Sequence, residues 1–249
     1  MSQSLWVKIP QPNPEAAVRL LCIPYEGGDA NVFRLWASRF GLSRTAEVCA
    51  IQLPGRGTRH REAPFTSMPP LIEELAGALQ PFLDKPFAVF GHGLGALIGF
   101  ELTRYLRQNS GPQPQHLFVG GRRAPQSPSN RSLRYNLPDT ELIAALRETD
   151  SIPAEVLEHT ELMQLMLPLL RADFELAETY DYRPAPPLEV PITAYGGLQD
   201  SDPTREELEG WRDQTAVRFK LQMFSGDHLF LHSAQTSVLE AMTRELSAG

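Results

Sequence analysis

Short apolar runs and longer amphipathic stretches alternate along this chain. Val18-Arg19-Leu20-Leu21-Cys22-Ile23 reads as a strand, Asn31 to Phe40 as a helix, and Val48 to Leu53 as a second strand. Between Ser67 and Leu83 the apolar residues Leu71, Ile72, Leu75, Leu79 and Phe82 fall mostly on one helical face. Phe87-Ala88-Val89-Phe90 is a short buried strand running into a glycine-rich turn, and Ala96 to Leu106 follows as a helix rich in Ala, Leu, Ile and Phe. His116 to Val119, Val190 to Tyr195 and Val217 to Phe224 complete the strand candidates. Such alternation predicts a mostly parallel sheet with helices on both faces.

One interval breaks the rhythm. From Leu137 to Tyr180 no strand is evident, and three helical pieces are expected at Pro138 to Thr149, Pro153 to Leu157 and Glu161 to Tyr180. Prolines 138 and 153 stand where helices start, and more than forty residues is long for an ordinary crossover. The interval is expected to be a helical lid inserted into a single domain that spans residues 1–249.

Composition narrows the function classes. The 249 residues are 42% hydrophobic, enough for one sizeable core. No apolar run reaches bilayer-spanning length, and the amino terminus lacks a basic segment followed by an apolar one, so a cytoplasmic protein is expected. A net charge of −7 argues against wholesale binding to nucleic acid or to an anionic membrane. Cys22 and Cys49 lie inside strand patterns, where small buried thiols are expected rather than a disulfide or a nucleophile. No metal site and no bound cofactor are expected.

The candidate chemistry gathers at strand ends, where open α/β sheets place their sites. Phe90-Gly91-His92-Gly93-Leu94-Gly95-Ala96 has the form of G-x-S-x-G, the sharp strand-to-helix turn that lifts a serine hydroxyl above the sheet. Here Gly93 occupies the serine position. Asp200 follows one late strand and His228 the next, in the order elbow, acid, histidine of an α/β-hydrolase triad, with Asp202 and Asp227 as competitors for the acid. His228 would accept a proton while Asp200 orients its imidazole. Tyr25-Glu26-Gly27-Gly28 follows the first long strand, where an oxyanion amide would be supplied; Leu94 would supply the other.

With these residues in view the chain resembles the type II thioesterases of nonribosomal peptide and polyketide biosynthesis, α/β hydrolases that remove acyl groups from carrier proteins. The resemblance extends over nearly the whole chain through Trp6, Tyr25-Glu26-Gly27-Gly28, Gln52-Leu53-Pro54-Gly55-Arg56-Gly57, the glycine elbow, Gly121-Arg122-Arg123-Ala124-Pro125, Leu170-Arg171-Ala172-Asp173-Phe174 and Gly226-Asp227-His228. It implies an α/β-hydrolase fold, a lid at Leu137 to Tyr180, Asp200 and His228 as acid and base, the amides of Glu26 and Leu94 as oxyanion donors, and a monomer. The implied substrate is an acyl thioester on the phosphopantetheine arm of a carrier protein. Arg122 and Arg123, and the cluster Arg56, Arg59, His60 and Arg61, are candidates for meeting the arm's phosphate or an acidic carrier surface.

Two departures fall at the site: Gly93 replaces the family's serine, and Tyr25-Glu26 replaces its His-Ala. A laboratory serine-to-glycine substitution would account for the first and not the second. Three readings stay open: hydrolysis by water activated by His228 and Asp200, acid-base chemistry on a tethered intermediate with Glu26 as an added acid or base, or carrier binding without chemistry.

Overall fold

The computed structural model describes residues 4–40, 45–127, 133–148, 152 and 154–247. Among them the strands are β1 (Val7–Lys8), β2 (Val18–Ile23), β3 (Ala46–Ile51), β4 (Phe87–His92), β5 (Leu117–Gly120), β6 (Ile192–Gly197) and β7 (Phe219–Phe224). They form one sheet in the order β1-β3-β2-β4-β5-β6-β7, parallel throughout except for the antiparallel edge strand β1. The central strands read as nearly unbroken apolar runs because both of their faces are covered.

Period-two alternation divides each strand between two cores. Leu21, Ile23 and Val89 join α2 (Met68–Leu79) and α3 (Leu94–Gln108) on one face. Leu20, Cys22, Ala88 and Phe90 join α1 (Arg34–Phe40) and the carboxyl-terminal helix, Gln235–Ser247, on the other. Cys22 and Cys49 therefore belong to opposite cores, and both are free buried thiols. Burial pushes the Cys49 thiol up to about 12, outside the range of a reactive thiolate.

The topology positions the site. After β2 the chain steps outward to β3, then returns to place β4 on the other side of β2, with Ile23 paired to Gly91. Ligand crevices open at the carboxyl ends of strands where the winding direction reverses in this way. The residues just beyond β2 and β4, Glu26 and Gly93, consequently share one crevice.

Between β5 and β6 lie α4 (Asp139–Glu148), α5 (Ala154–Glu158) and α6 (Thr160–Glu178). They bury a core of their own from Leu142, Leu146, Ile152, Leu157, Met163, Leu167, Leu170 and Phe174. Thr149 and Pro153, included in the expected helices, lie outside the described residues.

Some boundaries and elements differ from the sequence reading. Helix α3 starts at Leu94, not Ala96, because the elbow passes into helix without an intervening loop. Strand β7 starts at Phe219, leaving Val217 60% exposed outside the sheet. Strand β1, α7 (Arg205–Glu209), α8 (Phe230–Ser233) and α9 (Gln235–Ser247) were not anticipated. The first three are short, and α9 is largely polar with only Val238, Leu239, Ala241 and Met242 in a buried apolar stripe.

Candidate active site

His228 follows β7 and Asp200 follows the neighbouring β6, so parallel pairing brings their loops together. The His228 Nδ1–H donates to Asp200 Oδ2 at 2.9 Å, with both side chains largely buried. That bond fixes the tautomer and leaves Nε2 as the free base. The two rival carboxylates are engaged elsewhere. Asp202 Oδ1 pairs with Arg123 Nη2 at 2.5 Å, and Asp227 Oδ1 accepts the amide of Leu229 at 2.8 Å.

His92, the residue before Gly93, anchors the same loop from below. Its Nε2 lies 2.9 Å from the carbonyl oxygen of His228. A carbonyl can only accept, so Nε2 carries the proton. Burial holds His92 well below the usual histidine range, aided by repulsion from His228, so the ring is neutral at neutral pH.

Gly93 adopts φ +53° and ψ −121°, a conformation that is strained for a residue with a Cβ. Its surroundings are not empty. A Cβ built there would collide with Glu26 Oε2 and stand 3.3 Å from Tyr25 Cβ. The Glu26 carboxylate thus fills the volume that a serine hydroxymethyl would take. The same Oε2 accepts the Leu94 amide at 3.1 Å, so one expected oxyanion donor is held by the side chain of the residue expected to provide the other. Glu26 is buried, not turned to solvent.

Arg122 provides the nearby positive charge, with Nη1 3.7 Å from Glu26 Oε1. Burial lowers its guanidinium from the ordinary value, while attraction to Glu26 opposes that shift. It also donates from Nη2 to the carbonyl of Ala177 in α6 at 3.4 Å. Glu26, Gly93, Arg122, Arg134, Glu178 and His228 all border a cleft of about 500 Å³. Charged side chains of both signs line it, which distinguishes it from a plain acyl tunnel.

The loop that presents Glu26 is held at both ends. Tyr25 OH lies 3.0 Å from His232 Nε2, and its ring meets His92 and His232 edge-on. The Gly27 amide donates to Asp173 Oδ2 in α6 at 2.7 Å. Asp173 also receives a two-pronged contact from Arg56, at 2.9 and 2.7 Å, with both side chains almost fully buried. Gly27 has φ +73°, and an added Cβ would approach Leu170 Cδ2 at 2.8 Å, so this helix packs directly on the glycine turn.

The expected basic cluster at Arg56, Arg59, His60 and Arg61 does not form. Arg56 is buried on Asp173, and Arg59 is buried between Glu62 and the Trp6 ring, where each guanidinium finds the partner it needs away from water. His60 and Arg61 alone of the four are exposed. Arg122 and Arg123 face the cleft, and Arg123 is held by Asp202 and Glu207 at 2.5 and 2.9 Å.

Sequence reasoning missed the Arg56–Asp173 latch, although both residues lie in its two most distinctive segments. A buried arginine in Leu-Pro-Gly-Arg-Gly and a lone aspartate inside an apolar helix were the available signal. It also missed the anchoring role of His92.

A family model described as Thioesterase domain matches residues 18–246. The gramicidin S biosynthesis protein GrsT of Aneurinibacillus migulanus is 44% identical over 234 residues, covering 94% of this chain and 91% of that protein. Among solved structures, RedJ, a thioesterase from the prodiginine biosynthetic pathway of Streptomyces coelicolor, superposes with a TM-score of 0.88 at 37% identity over 94% of this chain and 93% of its own. BorB, a type II thioesterase from the borrelidin biosynthetic cluster, gives 0.89 at 32% identity over 99% of each chain.

Proposed function

The chain belongs to the thioesterase family, among the type II thioesterases of nonribosomal peptide and polyketide biosynthesis, and we propose that it releases acyl groups from carrier-protein thioesters without a serine nucleophile. One observation carries this reading: the His228–Asp200 pair is assembled and borders the same cleft as Gly93. A site of this design needs a base for water and an acid for the departing thiol. His228 Nε2 takes the proton from the water whose oxygen enters the product, and the resulting imidazolium returns a proton to the thiolate of the phosphopantetheine arm. Asp200 stabilises the imidazolium while it exists.

Magnitudes favour slow turnover. Losing the nucleophile in serine hydrolases costs about 10⁶-fold in turnover, and with the Leu94 amide held by Glu26 the residual acceleration stays at or below the about 10³ to 10⁴-fold over water that binding and a free oxyanion hole leave. The helices α4 to α6 serve as the lid, with Phe174 and Ala177 of α6 bordering the cleft where the acyl group would lie.

The test is to incubate the chain with a panel of acyl-carrier-protein thioesters and follow intact carrier and small-molecule products by mass spectrometry. Free acid, reduced at least about 100-fold in His228→Ala, is the expected result. Binding without any product would overturn it. A second reading, acid-base rearrangement of the tethered acyl group, is favoured by the Glu26 carboxylate in the cleft; its signature is a rearranged product made by the parent and not by His228→Ala or Glu26→Gln.

A further inference from the structure

We propose that Glu26 is the acyl acceptor of this site: its Oε2 stands in for the missing serine oxygen and forms a mixed anhydride with the acyl group. This deepens the hydrolytic reading and rests on it. Three observations meet at one atom. Oε2 occupies the volume of a residue-93 side chain, colliding with the place where a Cβ would be. It is 3.1 Å from the Leu94 amide, the backbone donor that stands beside the nucleophile in an elbow of this kind. Glu26 borders the cleft together with His228, whose Nδ1 is already committed to Asp200.

The surroundings present the carboxylate instead of leaving it loose. Tyr25 is tied to His232, the Gly27 amide is tied to Asp173, and Arg122 lies 3.7 Å from the second oxygen. The residue on either side of Glu26 is therefore fixed, and its charge has a partly buried partner. A serine at position 93 and this placement of Glu26 exclude each other, so the two departures from the family pattern form one exchange: the nucleophile has moved from the elbow to the facing loop.

The chemistry balances in two steps. Oε2 attacks the thioester carbonyl carbon, an O–C bond forms, and the C–S bond breaks to release the arm as a thiolate. Neutral His228 then removes a proton from water, which attacks the acyl carbon of the anhydride; the bond to Oε2 breaks, free acid leaves, and Glu26 is again a carboxylate. The His228 imidazolium then gives its proton to the thiolate, so one water is consumed and His228 ends as the neutral base it began as. Carboxylates serve as covalent nucleophiles in this way elsewhere in enzymology.

The experiment is a rapid-quench single turnover of the full chain, in excess over an acyl-carrier-protein thioester, with and without hydroxylamine. Carrier thiol is expected before free acid, with an acyl adduct or hydroxamate mapping to the peptide that contains Glu26. Glu26→Gln should lower thiol release at least about 100-fold. To separate lost chemistry from lost folding, Gly93→Ser combined with Glu26→Ala should react with a serine-directed fluorophosphonate, which requires an intact elbow and His228. If Glu26→Gln or Glu26→Ala turns over faster than the parent, the carboxylate is a plug and the proposal falls. Free acid without an adduct, at an unchanged rate in Glu26→Gln, removes the acyl-acceptor role and leaves hydrolysis standing. An adduct that never yields acid removes hydrolysis and leaves the acceptor role; neither adduct nor acid removes both.

Discussion

At the scale of single residues, Gly93 and Glu26 have to be read together. Gly93 alone reads as a deletion of the hydroxyl, whereas in three dimensions a carboxylate oxygen fills the gap. Gly93→Ser should therefore destabilise the fold twice over, through the positive φ and through the contact with Oε2. The backbone part costs about 1 to 3 kcal/mol, and in a chain of this size each kcal/mol moves the midpoint by about 2 to 4 °C. Calorimetry should show a fall of about 2 °C or more for Gly93→Ser, partly recovered when Glu26→Ala is added. A midpoint at or above that of the parent would contradict both contributions. The types of both residues were legible in the sequence. The rotamer that joins them was not, since a side chain three positions past a strand has no fixed direction until its loop is anchored.

At the scale of elements, the decisive contact joins α6 to two loops. Asp173 accepts from Arg56 and from the Gly27 amide, so the helix that borders the cleft is tied to the turn that presents Glu26. Breaking such a pair on one side leaves a buried charge alone, which costs about 3 to 5 kcal/mol. Asp173→Asn should lower the unfolding free energy from urea titration by that order and speed hydrogen exchange at the Gly27 amide; Arg56→Met with Asp173→Leu should recover much of the loss. If the single variant were as stable as the parent, the latch would contribute nothing. Pattern reading found α6 and the turn separately, because apolar periodicity reports which face of an element is buried and not which partner meets it. The same limit hid α9, whose narrow stripe becomes a buried face only when packed near α1. It also explains the misreading of Arg56 and Arg59, since arginines in a polar loop give no sign that they will fold inward.

For the whole molecule, buried histidines set a pH window. His116 stacks on Phe118, lies 2.8 Å from Thr193 Oγ1, and is pushed down to about 4, first by burial. Its unfolded value is near 6.5, so as pH falls the unfolded chain takes up the proton first and stability declines between about 6.5 and 4. Above that window the contribution is complete, and below it the slope from this group vanishes. The loss amounts to about 3 kcal/mol for His116. His92, held well below the usual histidine range first by burial, adds to the slope with the same sign. Denaturation followed across pH 4 to 7 should show this decline, and His116→Gln should flatten its own share; an unchanged slope in that variant would place the effect elsewhere.

The sequence by itself determined the parallel α/β sheet, the helical interval, the elbow with glycine at its tip, and the order of acid and histidine. Those properties follow from local chemistry: alternation marks buried strands, glycines mark turns, and the chain order of strand ends constrains which loops can meet. The position of Asp200 nearest its strand end already favoured it over its two rivals; only the tertiary structure decided that Arg56 belongs to Asp173 and that Glu26 lies in the space above Gly93. Each of these is a contact between residues far apart in the chain. It depends on distances of a few ångströms that no local pattern encodes, because the strand switch point that brings the loops after β2 and β4 into one crevice exists only once the sheet has formed.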